Sequence, residues 1–158
     1  MIDTKRVVGR RTVHYRDLAD LVSDAENLAA GKVATLGNWT FGQILQHLTD
    51  GMNGAFTGFG FQAPWFVRTF VAPFVKNQLL TKGMSPGIQL PKRAESLLPA
   101  DVPADVALQN LRSAVARMQS EVPTSRHPFF GRLAAQEWRS LSLRHAELHM
   151  SFVVPKES

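Results

Sequence analysis

The stretch ADVALQNLRSAVARMQSEV, Ala104–Val122, decides the architecture. Leu108, Leu111, Val115, Met118 and Val122 recur every three or four residues, the seam of a helix that packs against other helices. Pro123 ends it, because proline has no amide hydrogen for the helical ladder. Downstream, Leu133 to Val153 predicts a second such helix, with Trp138, Leu141, His145, Leu148, His149 and Phe152 on its buried stripe. Upstream, Tyr15 to Ala30 predicts a helix through Leu18, Leu21, Val22, Ala25, Leu28 and Ala29, stopped by Gly31. Another begins at Thr40. Thr-Phe-Gly-Gln has the capping-box form, and Ile44, His47, Leu48, Gly51 and Ala55 share one face. Gly54, Gly58 and Gly60 erode it toward its end.

Trp65 to Leu80 predicts an inserted, kinked helix flanked by Pro64 and interrupted by Pro73. Thr81 to Pro103 reads as a long loop, since Gly83, Pro86, Gly87, Pro91, Pro99 and Pro103 break every period. Loops of that length in a compact domain are often functional. No strand signal or internal repeat competes. The expectation is an all-α single domain over residues 1–158, with four principal helices and one inserted helix.

There is no cysteine, which excludes disulfides, thiolate metal sites, iron–sulfur clusters and cysteine nucleophiles. Any metal must rely on imidazole, carboxylate or water. The formal charge is +5, and a solvated basic surface accounts for most of it. Between Asp50 and Glu95, however, there is no acidic residue, while Arg68, Lys76, Lys82, Lys92 and Arg93 all fall there. That stretch suits a small anionic ligand. The cations are scattered and no nucleic-acid motif is present, so no nucleic-acid partner is expected. The basic N-terminus lacks the apolar core of a secretory signal. The longest uncharged run, Gly51 to Val67, holds four glycines and a proline and makes a poor membrane span. It also lacks a sustained amphipathic period, so no membrane partner is expected and a cytoplasmic location follows.

Chemistry concentrates in the histidines. His145 and His149 are four residues apart on the last expected helix, so both rings leave it at nearly the same azimuth. Trp138, Leu141 and Phe152 flank them on that face, and His47 lies beside Ile44 and Leu48 on its own apolar face. An interior histidine is usually a core residue with a hydrogen-bond partner. Three on core faces would be costly if unsatisfied, and one divalent ion would satisfy all three. Gln43 and Asp50, one turn either side of His47, are candidates for orienting the site, although Gln43 also suits a cap and Asp50 a solvated surface. His14 and His127 are expected to be peripheral.

HAELH resembles the zinc-peptidase HExxH, but Glu147 lies two residues from each histidine, about 200° around the helix, and faces away from any ion they share. There is no Glu-x-x-His pair for a di-iron bundle. Gly-x-Ser-x-Gly, P-loop and dinucleotide fingerprints are also absent.

LGNWTFGQILQHLTDG (Leu36–Gly51) resembles the second-helix signature of the DinB/YfiT-like superfamily, and HPFFGRLAAQEWRSLSLRHAELHMSF (His127–Phe152) resembles its final helix. The second stretch is most similar to an uncharacterised domain-of-unknown-function branch, where a His-Pro-x-Phe-Gly lead precedes a tryptophan and a histidine-rich helix. The resemblance implies a DinB-like four-helix bundle with a long crossover connection, often homodimeric. It implies a divalent ion (nickel, zinc, iron or manganese) held by His47, His145 and His149. It also implies a metal-dependent transferase using a low-molecular-weight thiol, or an isomerase; an ion that activates bound water would equally make a hydrolase, acting on a small electrophilic substrate. A non-catalytic dimerising or ligand-binding bundle is the alternative. The branch commonly reads His-x-x-His-His followed by Arg-Gln, whereas here Leu148 fills the middle position and Met150 and Ser151 follow. If there is a substrate cavity, Phe59, Phe61, Trp65 and Phe66 are expected to line it, with Arg68 or Lys82 receiving an anionic group.

Overall fold

The computed structural model describes residues 2–87 and 98–156. The middle of the expected loop, with Pro91, Lys92 and Arg93, lies outside the described residues. The chain is mostly helical. Its helices are α1 (Leu18–Ala29), α2 (Phe41–Thr57), α3 (Ala72–Lys82), α4 (Ala104–Ser120) and α5 (Ala135–Met150). Strands β1 (Val33–Thr35) and β2 (Val153–Pro155) pair antiparallel, with Ala34 opposite Val154.

Local chemistry sets the helix boundaries. α1 starts later than expected, at Leu18, because the Asp17 carboxylate accepts from the amides of Ala19 and Asp20. Tyr15 stays outside the helix yet is buried, and its hydroxyl donates to Asp24. At α2 the capping box forms as expected. The Thr40 hydroxyl accepts from the Gln43 amide, and the Gln43 side chain accepts from the Thr40 amide. The helix ends at Gly58, whose φ of 86° a side chain would disfavour.

The seam of α4 is buried at Leu108, Leu111, Val115 and Met118. Val122 is not part of it and is 70% exposed. The helix ends at Ser120, ahead of Pro123, which disfavours helical backbone in the residue before it. α5 likewise stops short of Val153, because the chain turns there into β2. The small sheet corrects the expectation of no strands. Each strand has three residues, too few to display an alternating pattern.

Helices α1, α2, α4 and α5 enclose one core in which Leu21, Leu45, Leu48, Met52, Leu111, Met118 and Met150 are fully buried. α2 and α4 make the most extensive pairing. Gly42 permits it where α2 meets the chain entering α4: a Cβ there would sit 2.0 Å from the Val102 carbonyl oxygen and 3.2 Å from the Ala104 nitrogen. Gly42→Ala is therefore expected to destabilise the fold by about 1–3 kcal/mol, although alanine is the better helix former. Urea denaturation tests this, and an unchanged or raised midpoint would show that the contact does not constrain packing.

The inserted segment is helical, and a π-helical turn at Val67–Val71 precedes α3. Pro73 follows closely on this turn in a continuous helical run from residue 65, and because it has no amide to donate to the preceding turn, the ladder is irregular just upstream of it. Only Ala72 of α3 is buried. Trp65, Phe66, Phe70, Val71 and Phe74 are exposed.

Candidate metal centre

His47 lies on the buried face of α2, and His145 and His149 lie one turn apart on α5, which packs against α2. The three rings converge. His145 Nε2 is 3.1 Å from His47 Nε2 and 3.1 Å from His149 Nε2. One nitrogen of each ring lies within 4.8 Å of the others. Nitrogens bound about 2.0–2.1 Å from one ion are separated by about 3.3 Å in a tetrahedron and about 2.9 Å at adjacent octahedral positions. The two spacings to His145 fall between these, while His47 and His149 are separated by no more than 4.8 Å. A neutral imidazole nitrogen offers one in-plane lone pair, so His145 Nε2 cannot serve both neighbours equally well through hydrogen bonds. A cation at the centre would accept from all three rings at once. The three histidines could therefore hold a metal ion.

Protonation favours the same use. Burial, reinforced by His47 and His127, pushes His145 down to about 3. Burial and the neighbouring His145 and His47 hold His149 well below its ordinary value. Both rings are neutral at neutral pH, with lone pairs available to a metal. His47 is buried, and His145 and His149 are half-buried.

Neighbouring elements fix the rings. Trp39, immediately before the Thr40 cap, stacks on His149 at 5.3 Å and 17° and lies 4.8 Å from His47. The N-terminal segment braces the end of α5. Arg11 donates to the carbonyls of Met150 and Val153 and pairs with Asp24, while Arg10 donates to Ser151 Oγ and lies over the Phe152 ring. Cations at the exposed carbonyls of a helix C-terminus are favourable.

The other candidates lie in different surroundings. Gln43 is engaged in the α2 capping box. The Asp50 carboxylate accepts from Gln46, which in turn accepts from Asn110 of α4. Trp65 is 70% exposed, and its ring neighbours are Phe66 and Phe70. Arg68 donates to the Gln62 side chain. Glu147 turns away from the histidines as expected. It accepts from the Tyr15 amide and pairs with Arg144 and His14.

His127 stays outside the ligand group, as expected, but its ring is packed among aromatic side chains. Its ring stacks on Phe130 at 4.7 Å and 19°, and lies 5.4 Å from Trp138 and 6.0 Å from Phe59. Its Nδ1 accepts from the amides of Phe129 and Phe130, which leaves the proton on Nε2. Burial pushes it down to about 4. Reciprocal backbone bonds between His127 and Gly131 close the turn, with Gly131 at φ 69°.

The model of the family described as "Protein of unknown function (DUF1569)" matches residues 8–156, almost the whole chain. The chain belongs to the DUF1569 family. This is the domain-of-unknown-function membership that the final-helix resemblance implies. No curated protein and no solved structure matches the chain. Within this DUF1569 protein, the family match spans both α2 with His47 and α5 with His145 and His149. Among the described residues, no helix is long and apolar enough to cross a membrane.

Proposed function

We propose that this DUF1569 protein is a DinB-like divalent-metal protein, with His47, His145 and His149 as ligands, that acts on a small electrophilic substrate as a transferase or hydrolase. One observation carries the reading: three imidazole nitrogens from two separate helices gather at spacings suited to a single ion. The order of ligands also agrees with the superfamily resemblance, one from the second principal helix and two from the last. A bound ion would supply Lewis acidity, able to activate water or a low-molecular-weight thiol. The chain's own residues keep His145 and His149 unprotonated and orient the rings through Trp39. Nickel, zinc, iron and manganese are all compatible with imidazole and water ligands.

The test is elemental analysis of protein purified without chelator or affinity tag, then turnover of an electrophile panel with and without bacterial thiols. One ion per chain and metal-dependent turnover support the reading. Metal-free protein that takes up no divalent ion would reject the site. Loaded protein inert toward the whole panel would reject the enzyme.

The exposed aromatic face around Trp65, Phe66, Phe70 and Phe74 favours a second reading, a dimerising bundle in which two copies cover that face. Light scattering is then expected to give twice the chain mass, and Phe70→Glu to give a monomer. A monomeric wild-type protein would dismiss this reading.

A further inference from the structure

We infer that the exposed aromatic face of the α3 segment docks on the surface of a bilayer carrying anionic lipid headgroups. This use is independent of the three histidines, none of which belongs to the segment.

Packing turns the face outward. The helical run from residue 65 to residue 82 meets the body through Ala72, which is buried, and Lys76, which pairs with Glu137 of α5 at 2.7 Å. Phe74 lies two residues beyond Ala72, about 200° around the helix, and so stands on the side away from the body. It is 82% exposed. Phe70 and Phe66 precede it at four-residue steps, and the Trp65 ring lies 6.1 Å from Phe70 and 6.4 Å from Phe66. Four large aromatic side chains thus form one uncovered surface, of the kind that marks an interaction site.

Charge selects the partner. Two stretches of the chain, 51–94 and 122–136, contain no acidic residue. They hold seven of the 18 lysines and arginines, while the rest of the chain has more acidic residues than basic ones. The fold brings the two stretches together. The Ala63 amide donates to the Pro128 carbonyl, the Phe61 and Phe129 rings lie 6.3 Å apart, and Phe130 shares a pocket with Arg68, Ala72 and Lys76. Lys82, Arg126 and Arg132 on these stretches are exposed, and among the described residues none of the three has a carboxylate partner. Glu137, which the fold brings against α3, is neutralised by Lys76.

An aromatic surface accompanied by unpaired cations fits the boundary between anionic headgroups and acyl chains. Rings enter the apolar side of that boundary while lysine and arginine stay with the phosphates. A second copy is the competing cover, but a two-fold contact would bring the same cations against one another. Among the described residues no helix is long and apolar enough to cross a membrane, so the segment would lie on the surface. The expectation of no membrane partner rested on the Gly51–Val67 run, whereas the uncovered aromatics lie mainly beyond it.

Full-length protein mixed with vesicles tests this, using phosphatidylcholine alone and phosphatidylcholine with phosphatidylserine. Binding is read by sedimentation and by tryptophan emission. Saturable binding to the phosphatidylserine vesicles is expected, with a blue shift that Trp65→Phe removes. Replacing both Arg126 and Arg132 by alanine should weaken binding by about tenfold or more, at about fivefold for each cation near an anionic surface. Phe70→Glu should weaken it by about tenfold or more, with thermal midpoint and metal content unchanged. Protein that stays in the supernatant with phosphatidylserine vesicles overturns the proposal, and so does equal binding to both compositions. A folded Phe70→Glu protein that binds as wild type overturns docking through the aromatic face. A wild-type dimer that Phe70→Glu splits, together with no vesicle binding, assigns the face to a second copy instead. Metal content is read separately, so a failed metal site and a failed membrane surface remain distinguishable.

Discussion

His145→Ala is expected to abolish stoichiometric metal binding, with affinity falling by more than about 100-fold. Loss of a residue that merely orients a metal ligand costs about 10–100-fold, and His145 is placed as a ligand itself. It is also the middle member of the cluster, with Nε2 at 3.1 Å from both of the other rings. Its removal leaves His47 and His149 without the nitrogen that bridges them. Calorimetric zinc titration and elemental analysis read the loss directly. Thermal melts give an independent measure, because an ion bound at 100 times its dissociation constant adds about 2.7 kcal/mol of stability. Wild-type protein should show that increment and His145→Ala should not. His14→Ala, which removes an exposed histidine paired with Glu147, should behave as wild type toward metal. A folded His145→Ala protein that still holds one ion per chain would refute the assignment.

The second large effect concerns acid. His127, His145 and His149 all have folded-state values below the ordinary 6.5. The unfolded chain therefore binds protons more readily than the native one, and stability rises with pH across this window. Metal-free protein should lose stability as pH falls below about 6.5. With His127 at about 4, that residue alone contributes a loss of about 2 kcal/mol at pH 5, and His145 and His149 act in the same direction. Carboxylates act lower. Asp20 lies at about 2, held down by its bonds to Arg16, and Glu137 is lowered by Lys76. Their contributions are present above the ordinary carboxylate range and are lost only as pH falls through it. Urea midpoints of metal-free protein at pH 7 and pH 5 isolate the histidine phase. An equal or higher midpoint at pH 5 would mean that these rings are not held neutral by the fold.

Features encoded within one or two helical turns were legible from sequence. The Thr40–Gln43 cap, the α4 seam and the common azimuth of His145 and His149 depend on spacing alone. The orientation of Glu147 followed from the same geometry. Legibility failed where tertiary partners decide. Nothing local shows that α2 and α5 pack with His47 against His145. His127 sits in a local turn, but its ring environment comes from Phe59 and Trp138, remote in sequence. The available signal was His-Pro-Phe-Phe-Gly, in which Gly131 lets the backbone fold back on His127. Trp39 could have been suspected, because a large apolar residue just before a cap often folds onto its helix. Around α3, Phe66, Phe70 and Phe74 recur at every fourth residue, a spacing that ordinarily marks a buried stripe, so their exposure was not readable.

The joining of residues 47 and 145 has a kinetic consequence. His145 and His149 come together as soon as α5 winds, but the third ligand lies 98 residues away along the chain. That closure carries a substantial loop entropy and belongs with the slow, non-local events of folding. If the cluster closes after the rate-limiting barrier, an ion would leave the refolding rate nearly unchanged and act instead as a brake on unfolding.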